Sequence, residues 1–280
     1  MKVSIYPNGG TMYTQSPSPS RPQPKRGDTR GWTQNVSRRN TDFLLSVEPD
    51  KLTGHGFALS LTIKTPPDTP DDWRKLRNAF FKRLRRMGMK RMHWLTEWQG
   101  RGCPHMHAAV WFDCTDEEAI EVYKAIPYHW LEVTAAYGSQ RFGQYIAPIT
   151  GSPGWFEYLA KHATRGIRNY QRSPENIPKG WTGSTGRMWG HTGDWPRKDA
   201  QVIDPPPEVW HQYRRLMLRY QIGKARRQGD KRRERYLREY RAQAPQETSR
   251  AQALPRLWIP ADDQWRLLGC SFGSHGGVAD

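Results

Sequence analysis

The amino-acid sequence predicts an α+β fold, in which a largely antiparallel sheet has helices packed against one face and a basic helical extension follows. Three observations lead to this prediction. Short runs of alternating apolar residues are typical of half-buried strands. An amphipathic helix with a strong start signal follows the first run. The loop 100–104 then separates two further strand-like runs and reads as a hairpin connection, which makes its strands antiparallel.

The first strand and the helix after it are predicted from 57–64 and 69–87. Apolar residues alternate with small or polar ones over 57–64. The helix begins at Thr69, a capping residue, with Pro70 next and the acids Asp71 and Asp72 at the positive end of the helix dipole. One face of it is apolar and covers the sheet, through Trp73, Leu76, Phe80, Leu84 and Met87.

The hairpin of strands 91–99 and 105–112 contains the most informative residues of the chain. His105 and His107 are two positions apart, and both side chains therefore project to the same face of a strand. Glu97 and Gln99 share a parity on the preceding strand. The hairpin brings two imidazoles and one carboxylate to a single point, which suits a divalent cation with open coordination positions. Taken alone, a His-x-His pair is more often part of a solvated strand face.

A downstream segment makes the metal interpretation stronger. Tyr158 and Lys161 are three residues apart in a helix predicted over 153–164, so they share one helix face. A tyrosine beside a metal-binding histidine pair can attack a phosphodiester and stay covalently attached, while the cation polarises the phosphate oxygens.

With these residues in place, the sequence resembles the HUH endonucleases, in particular replication initiators of rolling-circle plasmids and filamentous-type phages. Three motifs carry the resemblance: an apolar strand ending in Thr at 58–63, the His-hydrophobe-His motif at 104–107 and the tyrosine motif with its lysine at 158–161. They occur in the order found in replication initiators. Relaxases typically have the tyrosine near the N-terminus and a third histidine. The resemblance covers roughly residues 55–200.

The resemblance implies a metal-dependent nickase and strand transferase. His105, His107 and Glu97 are the expected ligands of Mg²⁺ or Mn²⁺, and Gln99 is the alternative third ligand. Tyr158 is the expected nucleophile, and Lys161 orients the phenol or offsets charge at the phosphate. The expected product is a 5′-phosphotyrosine link with a free 3′-OH that primes a host polymerase.

Four further residues compete for a place in the site. Tyr145 and Tyr170 are competing nucleophiles, but neither has a lysine three positions on, which favours a single-tyrosine mechanism through Tyr158. His93 shares the parity of Glu97 but lies further along the strand, so it is not expected to be a ligand. His162 is expected to point elsewhere on its helix and to be incidental.

Composition agrees with a polyanionic partner. Lys and Arg number 44 against 27 Asp and Glu, a net charge of +17, which favours single-stranded or hairpin origin DNA through counterion release. No apolar run approaches the roughly 18 residues of a membrane span, and no signal-peptide core is present. The three cysteines lack metal-site or disulfide spacing, so a cytoplasmic location in a bacterial host is expected.

The predicted organisation has four parts. A Pro- and Ser-rich tail covers 1–40 and is expected to be mostly disordered. The endonuclease domain spans 41–204, with a short helix at 116–126, further short elements at 133–137 and 142–146, and a final strand near 186–190. A basic helical region covers 205–243, and a loop-like tail covers 244–280.

The basic helical region has a one-sided charge. It contains twelve Lys or Arg against three Asp or Glu between Arg214 and Arg241, which favours an arm that contacts phosphates over an ordinary solvated helix. Gly223 and Gly229 weaken the region as one continuous helix.

Three alternatives remain open at this level. A single-tyrosine HUH transposase or a relaxase would use the same chemistry, although the motif order disfavours the relaxase. A non-enzymatic basic DNA-binding protein would have structural roles for the histidines and the tyrosine. The chain has no Gly-x4-Gly-Lys-Ser/Thr phosphate loop, so the helicase expected at the origin would come from the host.

Overall fold

A five-stranded antiparallel sheet positions the predicted site residues. The computed structural model describes residues 1–13, 31–152, 154, 155, 158, 162, 169–181, 183–243 and 259–273. The strands of this sheet are β3 (His55–Thr62), β4 (Met89–Gln99), β5 (Cys103–Phe112), β6 (Tyr145–Ile149) and β7 (Trp189–Thr192). They lie in the order β6, β3, β5, β4, β7. Every neighbouring pair is antiparallel, which confirms the predicted α+β class.

The register of the sheet follows from the hairpin. The β4–β5 turn contains Gly102 at φ 75°, a left-handed conformation that favours glycine. With this turn, Glu97 lies directly opposite His105. On the other side of β5, β3 places Ser60 opposite His107. β5 is the middle strand and all ten of its residues are buried, so both faces of the sheet are covered at this point.

Two helices cover one face of the sheet, as predicted. α2 (Pro70–Arg86) begins at Thr69, whose side chain accepts a hydrogen bond from the Asp72 backbone N–H. α3 (Asp116–Val133) begins with a capping box between Thr115 and Glu118. Both helices contribute to one apolar core with the inward residues of the strands, which include Phe57, Leu59, Leu61, Trp73, Phe80, Leu84, Met106, Val110, Ile126 and Trp130.

The other face of the sheet carries polar residues. α1 (Gln34–Ser46) lies over this face, and the Phe43 ring stacks on His93 of β4 at 5.5 Å and on His191 of β7 at 4.3 Å. Helical residues at 151, 152, 154, 155, 158 and 162 also contribute to this face. The remaining positions of the helix predicted over 153–164 lie outside the described residues.

Two short elements differ from the prediction. The possible strand at 133–137 is wrong: α3 continues to Val133, and a 3-10 turn at Ala135–Tyr137 ends at Gly138, at φ 68°. Its β-branched and aromatic residues favoured a strand, but Trp130 is buried in the core and holds the helix in place beyond the predicted end. The final strand is β7 at Trp189–Thr192, slightly later than 186–190.

A second compact unit comprises the described residues of 1–21, 45–47 and 197–280. It contains a three-stranded sheet of β1 (Lys2–Tyr6), β2 (Gly9–Tyr13) and β8 (Gln201–Ile203). Its helices are α4 (Pro207–Arg227), α5 (Lys231–Gln243) and α6 (Ala261–Gly273). Its core includes Val3 and Ile5, and also Trp210, Tyr213 and Leu237.

The two predicted tails therefore contain regular structure. β1 and β2 lie within 1–40, where the Pro- and Ser-rich residues that follow outweigh the short apolar alternation of Val3 and Ile5 in the sequence pattern. α6 lies within 244–280. The basic region is broken between α4 and α5 at Gly229, whose φ is 67°. In the part of the chain that is described, no helix is long and apolar enough to cross a membrane.

Candidate metal centre and tyrosine site

The structure brings together the three side chains that the sequence predicted as metal ligands. One potential ligand atom from each of Glu97, His105 and His107 lies within 4.8 Å of those of the other two, and all three residues are buried. β4 supplies the carboxylate and β5 the two imidazoles. The His105 and His107 rings are nearly perpendicular, with centroids 4.4 Å apart, so their nitrogens can converge on one point.

Gln99, the alternative third ligand, has another role. Its Oε1 accepts hydrogen bonds from Thr62 Oγ1 at 3.0 Å and from the Arg101 guanidinium at 2.7 Å. These bonds connect the end of β4 to β3 and to the turn of the hairpin. Glu97 is thus the carboxylate nearest to the histidine pair, and Gln99 belongs to the rim.

Hydrogen bonds fix the orientation of the histidine pair. Ser60 Oγ lies 2.8 Å from His107 Nδ1, which leaves Nε2 directed at Glu97 Oε2, 3.5 Å away. The side-chain nitrogen of Gln171 lies 3.5 Å from His105 Nε2. Such outer contacts set the tautomer and the ring position of metal-binding histidines.

Arg172 is a site residue that the sequence analysis missed. Its Nε donates to Glu97 Oε1 at 2.9 Å, with the Arg172 side chain 1% exposed and Glu97 0%. It also donates to the His162 carbonyl at 2.7 Å and stacks on the Trp32 ring at 4.0 Å. A buried carboxylate needs such a partner, but Glu97 and Arg172 are 75 positions apart and no local pattern connects them.

Tyr158 lies next to this cluster. Its ring stacks on Trp155 at 5.6 Å and contacts His162 at 4.7 Å. The His162 ring in turn lies 4.3 Å from the His107 ring. The expectation that His162 points elsewhere is therefore wrong. Positions 158 and 162 are four apart and share a helix face, and this spacing could have identified it. Lys161 lies outside the described residues.

A buried hydrogen-bond chain ends at the Tyr158 hydroxyl. His93 Nδ1 is 3.0 Å from Tyr158 Oη, and His93 Nε2 is 2.8 Å from Asn40 Oδ1. With Asn40 as acceptor, Nε2 carries the proton, and Nδ1 accepts the Tyr158 O–H. Burial, and secondarily His191, lower the pKa of His93 to about 3, so the ring is neutral. Sequence parity placed His93 on this face but not its partners.

The environment of Tyr158 keeps its hydroxyl protonated. Burial raises the pKa of Tyr158 well above its ordinary value, and the negative charge of Glu97 raises it further. An open cleft of about 150 Å³ borders Tyr158, and Ser60, Tyr145 and His162 are also in its wall. The two competing tyrosines differ in burial, since Tyr145 and Tyr170 are 60% and 63% exposed and Tyr158 is 4% exposed.

Comparison with known proteins identifies the family. A family model described as the replication-associated protein ORF2/gene II protein matches residues 57–165, a range that contains all three predicted motifs. The chain is 41% identical over 268 residues to the replication-associated gene II protein of Pseudomonas phage Pf3, covering 95% of each chain. The chain therefore belongs to this replication-associated protein family, and the predicted resemblance to rolling-circle initiators is confirmed.

Two putative replication proteins of Xylella fastidiosa are similar over nearly their whole length. One, from strain 9a5c, is 41% identical over 267 residues, or 93% of this chain and 92% of the relative. The other, from strain Temecula1, is 42% identical over 258 residues, or 90% and 96%. No solved structure shows a significant match to the chain.

Proposed function

We propose that this protein initiates rolling-circle replication by cleaving one DNA strand and rejoining it through a covalent tyrosine intermediate. One observation carries the proposal: the buried cluster of Glu97, His105 and His107 is linked to Tyr158 through His162. The membership in a replication-associated family supports the same role. Origin DNA is the substrate, as single strand or extruded hairpin.

The donor atoms fit a divalent cation. Two imidazoles and one carboxylate, held by Ser60 and Arg172, leave coordination positions open for phosphate oxygens. Mg²⁺ or Mn²⁺ bound by Glu97, His105 and His107 would polarise the scissile phosphate. Arg172 keeps one carboxylate oxygen of Glu97 in a fixed position, so the other oxygen faces the histidines.

The residues around Tyr158 prepare its hydroxyl for attack. Asn40 holds the His93 ring, and His93 Nδ1 accepts the Tyr158 proton as the Tyr158 Oη–P bond forms and the P–O3′ bond breaks. The 3′ oxygen takes a proton from water and becomes the primer terminus. In the rejoining step, the 3′-OH attacks and His93 returns the proton to the departing phenolate. Lys161 offsets negative charge at the phosphate.

The exposed basic residues of α4 and α5 add sequence-independent attraction to DNA. Nine of them are exposed: Arg215, Arg219, Arg226, Arg227, Lys231, Arg232, Arg235, Arg238 and Arg241. Such a surface binds phosphates through counterion release and does not read bases. The 3′-OH made at the nick would serve a host polymerase, with a host helicase opening the duplex, in the bacterial cytoplasm.

The test is cleavage of circular single-stranded DNA from the replicon that carries the gene, resolved on a denaturing gel. Wild-type protein should cut in Mg²⁺ or Mn²⁺, leave protein attached to the 5′ end and be inactive in chelator. Tyr158→Phe should lower the cleavage rate about 10³-fold or more and form no adduct, with DNA affinity unchanged.

Tyr145→Phe and Tyr170→Phe are the matched controls, since each removes one exposed phenol outside the cluster. Both should cleave at the wild-type rate. An adduct formed by Tyr158→Phe would refute the nucleophile assignment. Cleavage that persists in chelator would refute the metal centre, and origin binding with no cleavage under any metal condition would favour a DNA-binding protein without enzymatic activity.

A further inference from the structure

A second cleft lies at the edge of the five-stranded sheet, away from the Glu97, His105 and His107 cluster. Its walls are α1, the segment 184–188 and the edge strand β7, and its volume is about 460 Å³. That volume is within the range of sites for small ligands, about 300–1,000 Å³. Four of its side chains carry the argument: Arg39, Arg187, Trp189 and His191.

The cleft is strongly basic. Arg39 and Arg187 are both exposed, and neither guanidinium forms an ion pair with any residue that the structure describes. No acidic residue is among the described residues that line the cleft. Two arginines that converge without a carboxylate are suited to an anion, because a planar guanidinium binds phosphate oxygens in pairs.

A buried arginine adds to this positive charge. Arg77 is 4% exposed, and its Nη1 donates to the backbone carbonyl of Arg187 at 3.4 Å. Its Nε has no hydrogen-bond partner among the residues described. Burial, and then the charges of Arg187 and Arg74, lower the pKa of Arg77 to about 9. The Trp94 ring, 4.0 Å away, stabilises the cation only in part, so an anion nearby would be favoured.

The cleft shares a sheet face with the tyrosine site. His191 of β7 lies directly opposite His93 of β4, and Phe43 stacks on both rings. Trp189 is two positions from His191 and therefore faces the same side. His93 bonds to Tyr158 at 3.0 Å. A strand of DNA that reaches Tyr158 can continue over one strand of the sheet into this cleft.

We propose that this cleft binds one nucleotide of single-stranded DNA next to the scissile phosphate. Arg39 and Arg187 hold its phosphate, and the exposed part of the Trp189 and His191 rings provides a stacking surface for its base. The proposal rests on the proposed function only in taking DNA as the ligand. It assigns to the cleft the position of the DNA, and the chemistry stays at Tyr158.

The test is fluorescence anisotropy of a labelled ten-nucleotide oligothymidylate with Arg39→Ala/Arg187→Ala. We expect the double variant to bind about 10- to 100-fold more weakly, because charge-assisted hydrogen bonds are lost. The slope of log K against log salt should fall by about 0.7 for each phosphate contact removed. The control is Arg85→Ala/Arg86→Ala, two exposed arginines at the end of α2, which removes the same charge and should change affinity less than about two-fold.

Competition by thymidine 5′-monophosphate and by inorganic phosphate then identifies the ligand. The mononucleotide should displace the oligonucleotide from wild-type protein at lower concentration than phosphate, and this preference should disappear in Arg39→Ala/Arg187→Ala. Equal competition by phosphate would reduce the cleft to an anion site and overturn the proposal. Equal effects of the two double variants would also overturn it, since general charge would then explain the binding.

Cleavage assays separate this inference from the proposed function. With saturating DNA, Arg39→Ala/Arg187→Ala should cut at nearly the wild-type rate, with the loss confined to the DNA concentration needed for half-maximal rate. A loss of the maximal rate alone would place the two arginines in the reaction and refute the binding role. If wild-type protein cuts no DNA, the proposed function fails, while the anisotropy comparison still decides the cleft.

Discussion

On the polar face of the five-stranded sheet, Glu97 and Arg172 are almost completely buried, whereas most Lys and Arg residues of α4 and α5 are exposed. The buried pair is held at 2.9 Å and fixes the carboxylate that faces His107. The exposed cations of the helices have few fixed partners, such as Arg226 and Arg238 on Glu234. The two regions have charge for different purposes.

The difference follows from the cost of burial. A buried charge must be paired, so its partner, distance and direction are all specified, and such an arrangement can hold a catalytic geometry. An exposed charge is screened and free to move, so it contributes potential without geometry. Substitutions in the sheet should therefore change rate and stability, and substitutions in the helices should change DNA affinity and its salt dependence.

The largest effect is expected from His93→Gln. Glutamine keeps the size and polarity of the side chain but cannot take the Tyr158 proton. Cleavage at saturating DNA should slow about 10²- to 10⁴-fold, while DNA affinity stays within error in the anisotropy assay. His129→Gln, on the surface of α3, is the matched control and should cut normally. A wild-type rate for His93→Gln would show that His93 is only a packing residue.

A smaller but clear effect on stability is expected from Arg172→Ala, which leaves Glu97 buried without its partner. The free energy of unfolding in urea should fall by about 3–5 kcal/mol. Adding Glu97→Gln to this variant should recover part of that loss, because the unpaired charge is removed. Arg226→Ala, which breaks an exposed pair with Glu234, should cost less than about 1 kcal/mol. Equal losses for the two arginines would refute the distinction between the regions.

The smallest effect is expected from single exposed arginines of α5. Arg232→Ala or Arg235→Ala should weaken DNA binding only a few-fold, equally for all sequences, and lower the salt slope by about 0.7 to 0.9. The maximal cleavage rate should not change. Binding measured at several salt concentrations on two unrelated oligonucleotides checks this. A change of sequence preference would show that α5 contacts bases.

Much of the candidate site could be predicted because its geometry is local. The two-residue repeat of a strand put His105 and His107 on one face, and a short hairpin put Glu97 opposite His105. The Thr69–Pro70 start of α2 and the break near Gly229 are equally local, since capping and left-handed glycine depend on a few neighbouring residues.

The sequence by itself thus determined the α+β class, the family and the three residues that converge on one point. Only the tertiary structure decided their partners: Arg172 on Glu97, His93 and Asn40 on Tyr158, and the basic cleft beside β7. These contacts join segments tens of residues apart. They depend on the order of the strands and the paths of the connections, and both are fixed only when the whole chain packs its core.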